Sequence, residues 1–190
     1  MIKDGTALYL GRFQPFHKGH FRLILGLRGK YDKVVIGLCS CQKHHTKRNP
    51  FTFWERYEMI TNTLDRLYLG KDWYEIIPIP DIECPERWAQ FVDAIFGKRD
   101  VVITNNPNTR DLFESIGDKV EGFPVERVYI GINHNQRYGS NKYGYTDVSG
   151  TKVRDSLSKD NVWQLMVPYT VLNYLISINA KDRIKQIYND

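Results

Sequence analysis

Short runs rich in Val, Ile, Leu and Tyr, each followed by a stretch with helical spacing, constrain this 190-residue chain more than any other feature. Residues 6–10, 33–39, 73–79 and 100–104 read as buried strands, and residues 127–132 as a fifth. Residues 21–29 read as a helix with Phe21, Leu23, Ile24, Leu25 and Leu27 as core candidates. A second helix runs to about residue 69, with Tyr57, Ile60, Leu64 and Leu67 or Tyr68 on its apolar face. Trp88, Phe91, Val92, Ile95 and Phe96 fall three and four apart, the spacing of an amphipathic helix, which Gly97 should end. Residues 107–116 and 152–157 make further helices, and residues 162–166, 169–178 and 180–188 make the C-terminus helical. Strands that alternate with helices and are apolar throughout pack as a parallel sheet covered on both faces. The expectation is an α/β chain: a doubly wound parallel five-stranded sheet with a helical C-terminus, in one domain over residues 1–190. Residues 133–147, rich in Asn, Gly, Ser and Tyr, read as a long loop.

Glycine-rich phosphate loops of two common kinds are missing. No G-x-G-x-x-G follows the first strand, and no G-x-x-x-x-G-K-[ST] occurs anywhere. Hydride-transfer dinucleotide enzymes and P-loop enzymes are therefore disfavoured. The net charge of +5 suits a phosphate-bearing partner, but no long Lys/Arg block or basic stripe with interleaved aromatics points to nucleic acid. No apolar run approaches a membrane span and no signal pattern opens the chain, so a cytoplasmic protein with no membrane partner is expected. Three cysteines, Cys39, Cys41 and Cys84, form no disulfide framework, as a reducing compartment would allow. Cys39, Cys41, His44 and His45 lack a usual zinc spacing, and no protein metal site is expected.

The chemistry gathers at Gly11-Arg12-Phe13-Gln14-Pro15-Phe16-His17-Lys18-Gly19-His20, between the first strand and the first helix. Such a junction lies at the carboxyl end of a strand, where open α/β sheets bind ligands. His17 and His20, three apart on a helix start, share a face. Two imidazoles, Arg12, Lys18 and the free N–H groups of a helix start make an anion pocket. Ser149-Gly150-Thr151-Lys152-Val153-Arg154 is the second signal: a capped helix start, a hydroxyl and two cations, of which arginine can clamp phosphate in a bidentate way. Thr52 and Glu55, after Asn49-Pro50-Phe51, have capping-box spacing. Trp88 reads from periodicity alone as readily as a core residue, and Asp81 as a turn residue.

The first motif resembles the G-x-[FW]-x-P-x-H-x-G-H signature of the nucleotidyltransferase superfamily, and the second its S-x-T-x-x-R motif. Ser40-Cys41-Gln42, Asn49-Pro50-Phe51-Thr52 with Glu55-Arg56, and Pro80-Asp81-Ile82-Glu83 with Trp88 resemble the archaeal-type nicotinamide-nucleotide adenylyltransferases. So do Asn105-Asn106-Pro107 and Ile178-Asn179 with Arg183-Ile184. Residues 124–148, Pro85 and Glu86 depart from that pattern. The resemblance implies a Rossmann-like nucleotidyltransferase fold and transfer of the adenylyl group of ATP to nicotinamide mononucleotide, giving NAD and pyrophosphate. It implies ATP contacts at Gly11, Arg12, Phe13, His17, His20, Ser149, Thr151, Lys152 and Arg154, with His17, His20 and Arg154 catalytic. It implies mononucleotide contacts at Ser40, Arg48, Asp81, Ile82, Trp88 and Asn106, Mg²⁺ bound mainly through ATP, and a homo-oligomer. Nicotinic acid mononucleotide stays open as an acceptor. Other enzymes of this scaffold, acting on phosphopantetheine or as cytidylyltransferases, and an idle nucleotide-binding module are the alternatives.

Overall fold

β1 (Thr6–Gly11) lies at the centre of a parallel sheet ordered β3-β2-β1-β4-β5, whose other strands are β2 (Lys33–Cys39), β3 (Tyr74–Ile79), β4 (Val101–Ile103) and β5 (Val120–Glu121). The computed structural model describes residues 5–67, 72–97, 99–123, 127–131 and 143–189. β1 pairs with β2 from Thr6↔Lys33 to Gly11↔Leu38 and with β4 from Ala7↔Val101 to Tyr9↔Ile103. Side chains alternate across the sheet, so each strand feeds two cores. Tyr9, Ile36 and Ile103 pack beneath α1 (Lys18–Lys30), α2 (Phe53–Asp65), α5 (Gly150–Lys159), α7 (Tyr169–Ser177) and α8 (Ala180–Asn189), through residues such as Ile24, Ile60, Leu157, Val171 and Ile184. Leu8, Leu10, Val35 and Val102 face α3 (Trp88–Phe96) and α4 (Pro107–Glu114), against Ala89, Val92 and Phe113. A short α6 (Trp163–Met166) links α5 to α7. The strand order reverses between β1 and β4, and the crevice at that switch point is where a doubly wound sheet takes its ligand.

The local chemistry of the helix ends matches the sequence. Thr52 and Glu55 form the capping box of α2, and Glu55 also receives Arg183 Nη1 at 2.7 Å. Gly97 ends α3 at φ +71°, which a side chain would strain. The first strands and most helices fall where expected.

The fifth strand does not. The sheet edge is Val120–Glu121, whereas Arg127–Gly131 (β6) pairs antiparallel with Tyr143–Asp147 (β7) in a separate two-stranded ribbon. A two-residue strand is too short to show a period, while 127–131 has the stronger β composition. The end of the expected loop, Tyr143–Asp147, is strand; residues 132–142 lie outside the described residues. The second helix ends at Asp65 and not near residue 69: residues 66–67 form a turn, and 68–69 lie outside the described residues. Trp73 precedes β3 rather than starting it. Leu25, Leu67 and Ile95 are at least 38% exposed and leave the core; Leu67 falls in the turn after α2. Among the described residues no helix is long and apolar enough to cross a membrane.

Candidate active site

The histidine loop is built by a reciprocal cap. His17 is the N-cap of α1 and His20 its third residue. The His20 N–H donates to His17 Nδ1 at 3.4 Å, and the His17 N–H donates to His20 Nδ1 at 3.3 Å. An Nδ1 that accepts carries no proton, so in the neutral ring the proton is on Nε2. Burial lowers the His17 pKa to about 3. Burial, and then the neighbouring His17, lower that of His20 well below the usual imidazole range. Both rings are thus neutral Nε2–H donors at physiological pH. His20 rests against Phe13 and Phe16, at 4.6 and 5.7 Å between ring centres.

Opposite this loop lies the start of α5. Ser149 caps the helix by accepting the Lys152 N–H. Arg154, 5% exposed, reaches back across 140 residues: Nη1 donates to the Gln14 carbonyl at 2.7 Å and Nη2 to Thr151 Oγ1 at 3.2 Å. Its Nε is buried without a partner. A Cβ on Gly150 would stand 2.9 Å from the Gln14 carbonyl oxygen, so the helix start and the histidine loop touch backbone to backbone. Gln14 in turn clamps Phe51, donating to its carbonyl at 2.8 Å and accepting its N–H at 3.0 Å. The two motifs therefore face one another across a cavity of about 370 Å³ lined by Arg12, Phe13, Gln14, His17, His20, Ser149, Thr151 and Arg154, among others.

A second chamber, of about 560 Å³, opens beside it; Arg12, His20, Asn105 and Phe123 belong to both walls. Gly11, Ser40, Asp81, Ile82, Trp88 and Asn106 line it, so most expected mononucleotide contacts share one wall. Ser40, at φ +51°, donates Oγ to Asp81 Oδ1 at 3.0 Å, and Lys43 Nζ meets Asp81 Oδ2 at 2.7 Å. Trp88 is partly buried and donates Nε1 to the Pro80 carbonyl, which fixes the indole in this wall. It is neither a pure core residue nor free.

Arg48 and Lys152 line neither chamber, and both are exposed. Arg48 still acts on the site at a distance. Burial lowers the Arg12 pKa most, and the charges of Arg48 and Arg154 lower it further. Sequence reasoning missed Gln14, Lys43, Asn105 and Phe123, because spacing along the chain does not show which distant loops meet. Among the described residues no group of three or more His, Cys, Asp or Glu is placed to hold a metal. A divalent ion here would need phosphate and water oxygens for most of its shell, as Mg²⁺ does with nucleotides.

Two neutral imidazoles, two guanidiniums and a helix start line one cavity at the switch point of a doubly wound sheet, an arrangement suited to an anion. The family described as cytidylyltransferase-like matches residues 8–156. Nicotinamide-nucleotide adenylyltransferase of Thermoplasma volcanium is 34% identical over 97% of this chain and 93% of its own. That of Thermococcus sibiricus is 34% identical over 97% of this chain and 90% of its own. In structure, the chain resembles a bifunctional NMN adenylyltransferase/ADP ribose pyrophosphatase from Francisella tularensis, complexed with AMP and a Mn ion. The TM-score is 0.71 at 19% identity, over 96% of this chain and about half (51%) of that one. The chain belongs to the nicotinamide-nucleotide adenylyltransferase family.

Proposed function

We propose that this protein transfers the adenylyl group of ATP to nicotinamide mononucleotide, forming NAD and pyrophosphate. The observation that carries this reading is the pair of connected chambers: a cationic cradle under the histidines, and a pocket with one indole and one carboxylate beside it. The nucleophile is the mononucleotide's phosphate oxygen, largely dianionic at pH 7 because its second pKa is about 6. It bonds to the α-phosphorus as the bond to the bridging oxygen of the β-phosphate breaks, and pyrophosphate leaves with that electron pair. No general base is needed. The protein holds two polyanions together and meets the charge that develops on the phosphates.

In this reading His17 and His20 donate Nε2–H to phosphate oxygens, while Arg12 and Arg154 offset the triphosphate's charge. Ser149, Thr151 and the free N–H groups of α5 fix its position, Phe13 shapes the near wall, and Gly11 lies in the adjoining acceptor chamber. Lys152 and Arg48 add cationic field at the rim, where Arg48 can meet the incoming acceptor phosphate. Asp81, Ser40, Ile82, Trp88 and Asn106 hold the mononucleotide, with the indole against the pyridine ring. ATP enters as its magnesium complex, the ion carried on the substrate's own oxygens. Residues 1–190 act as one domain of a cytoplasmic homo-oligomer.

Nicotinic acid mononucleotide is a second acceptor on this reading. Lys43 stands at the pocket wall, paired with Asp81, and can meet a carboxylate there. The test is pyrophosphate release with ATP against CTP, and with both mononucleotides against other phosphate acceptors. Turnover that requires ATP and a pyridine mononucleotide supports the assignment. Nucleotide binding without pyrophosphate release, or preference for CTP, overturns it.

A further inference from the structure

Arg56 is fully buried, at 0% exposure, and hydrogen-bonds to carbonyls and not to a carboxylate among the described residues. Its guanidinium donates to four carbonyls instead: Nε to Thr52 at 3.1 Å, Nη1 to Arg12 at 2.8 Å and to Cys39 at 2.9 Å, and Nη2 to Ser40 at 3.3 Å. Those carbonyls belong to the residue after β1, the last residue of β2 and the one after it, and the cap of α2. Arg12 and Ser40 both line the second chamber, and of the two only Arg12 also lines the cradle, so their separation sets how the cradle meets the wall with Asp81. A planar fork with fixed donor directions sets the distance between the carbonyls it joins, which a flexible ammonium cannot do.

The anchor of this fork is itself held. Thr52 and Glu55 close the start of α2, Arg183 ties down Glu55, and Gln14 clamps the neighbouring Phe51. Burial lowers the Arg56 pKa to about 10, so the group stays cationic at neutral pH. Burying a cation is costly compared with an apolar residue in the same space, and here the carboxylate acting on it, Asp81, does so at a distance and not through a hydrogen bond among the described residues. Stability alone gives no reason to keep it there. Its position is explained by its carbonyl partners, three of which (Arg12, Cys39 and Ser40) belong to residues that line the second chamber.

We propose that Arg56 is a positioning residue for adenylyl transfer. It touches neither substrate and sets the separation of Arg12, on the ATP side, from Ser40, on the acceptor side, so that the two reacting phosphates meet in line. The proposal rests on the adenylyl-transfer reading above. Its signature is a loss in kcat that exceeds the change in either KM, because each half-site keeps its own contacts while their registry is lost.

The experiment compares Arg56→Lys, Arg56→Gln and a control, Leu64→Ala, which empties a buried site on the same helix away from the cavities. Each is assayed for pyrophosphate release with ATP and nicotinamide mononucleotide, with melting temperatures measured alongside. Arg56→Lys should lower kcat at least tenfold with both KM values within about threefold of wild type, and Arg56→Gln at least as much. Leu64→Ala should melt earlier and keep its kcat. The proposal is overturned if Arg56→Lys turns over within threefold of wild type. It is equally overturned if the losses track melting temperature in all three variants, or if neither Arg56 variant folds, which would make the residue structural only. An inactive wild type would instead defeat the adenylyl-transfer reading, and this proposal with it.

Discussion

His17 and His20 hold each other: each ring accepts the other's backbone N–H, and the two imidazoles stack 3.6 Å apart. The two rings that cap α1 through Nδ1 also line the cavity, with Nε2 left to donate. Removing one ring therefore has two separable effects. His20→Ala should lower kcat by about a hundredfold or more, the loss of one transition-state donor, and should cost about 1 kcal/mol of stability from the broken cap. Steady-state kinetics and urea unfolding on the same preparation check both. Near-wild-type turnover would remove His20 from the chemistry.

Acid should destabilise the protein through these rings. The folded His17 pKa is depressed to about 3 and that of His20 lies well below 6.5, while an unfolded imidazole takes up a proton near 6.5. Below 6.5 the unfolded state binds more protons, so stability falls as the pH drops, down to about 3 for His17. Each ring contributes a slope of about 1.4 kcal/mol per pH unit within its window. Urea midpoints between pH 7 and 5 should fall less steeply for His17→Asn than for wild type; equal slopes would refute the assignment. The acid limb of kcat should instead follow the acceptor phosphate, near pH 6, and stay in place in His17→Asn.

The backbone contact between α5 and the histidine loop leaves no room for a methyl group. Gly150→Ala would put a Cβ 2.9 Å from the Gln14 carbonyl oxygen and 3.3 Å from Arg154 Nη1. The expected result is a loss of about 1–3 kcal/mol from overpacking, with a raised KM for ATP and an unchanged KM for the mononucleotide. A melting curve and two KM values decide it, and an unchanged ATP KM would mean that the two motifs do not share the triphosphate.

On the other side of the site, Trp88→Ala and Asp81→Ala should raise the mononucleotide KM about tenfold, the loss of one stacked ring or one hydrogen-bonded anchor, and leave the ATP KM within twofold. Equal effects on both substrates would indicate that the wall between the chambers has collapsed and that these residues do not select the acceptor.

Much of this was legible from residue order. β1 to β4 are continuous apolar runs, and the Thr52–Glu55 and Ser149 caps announce their helices by residue type. Val120–Glu121 could not be read, because two residues carry no period, and Arg127–Gly131 drew the assignment by its composition. The histidine loop and the α5 start were each visible locally, and the resemblance joined them. Their actual link, Arg154 to the Gln14 carbonyl, uses a backbone atom that no side-chain pattern reveals. The same holds for Arg56 of the Glu55-Arg56 pair: its partners are carbonyls just past β1, at and just past the end of β2, and at the α2 cap, which no residue type announces.

The common wall of Arg12, His20, Asn105 and Phe123 has a kinetic corollary. On the reading proposed above, a finished dinucleotide would span both rooms at once, while pyrophosphate would occupy only the cradle end. Dinucleotide inhibition should then be competitive against either substrate, whereas pyrophosphate should compete with ATP alone. Release of the small anion first would leave the larger product as the species whose departure sets the pace of each cycle.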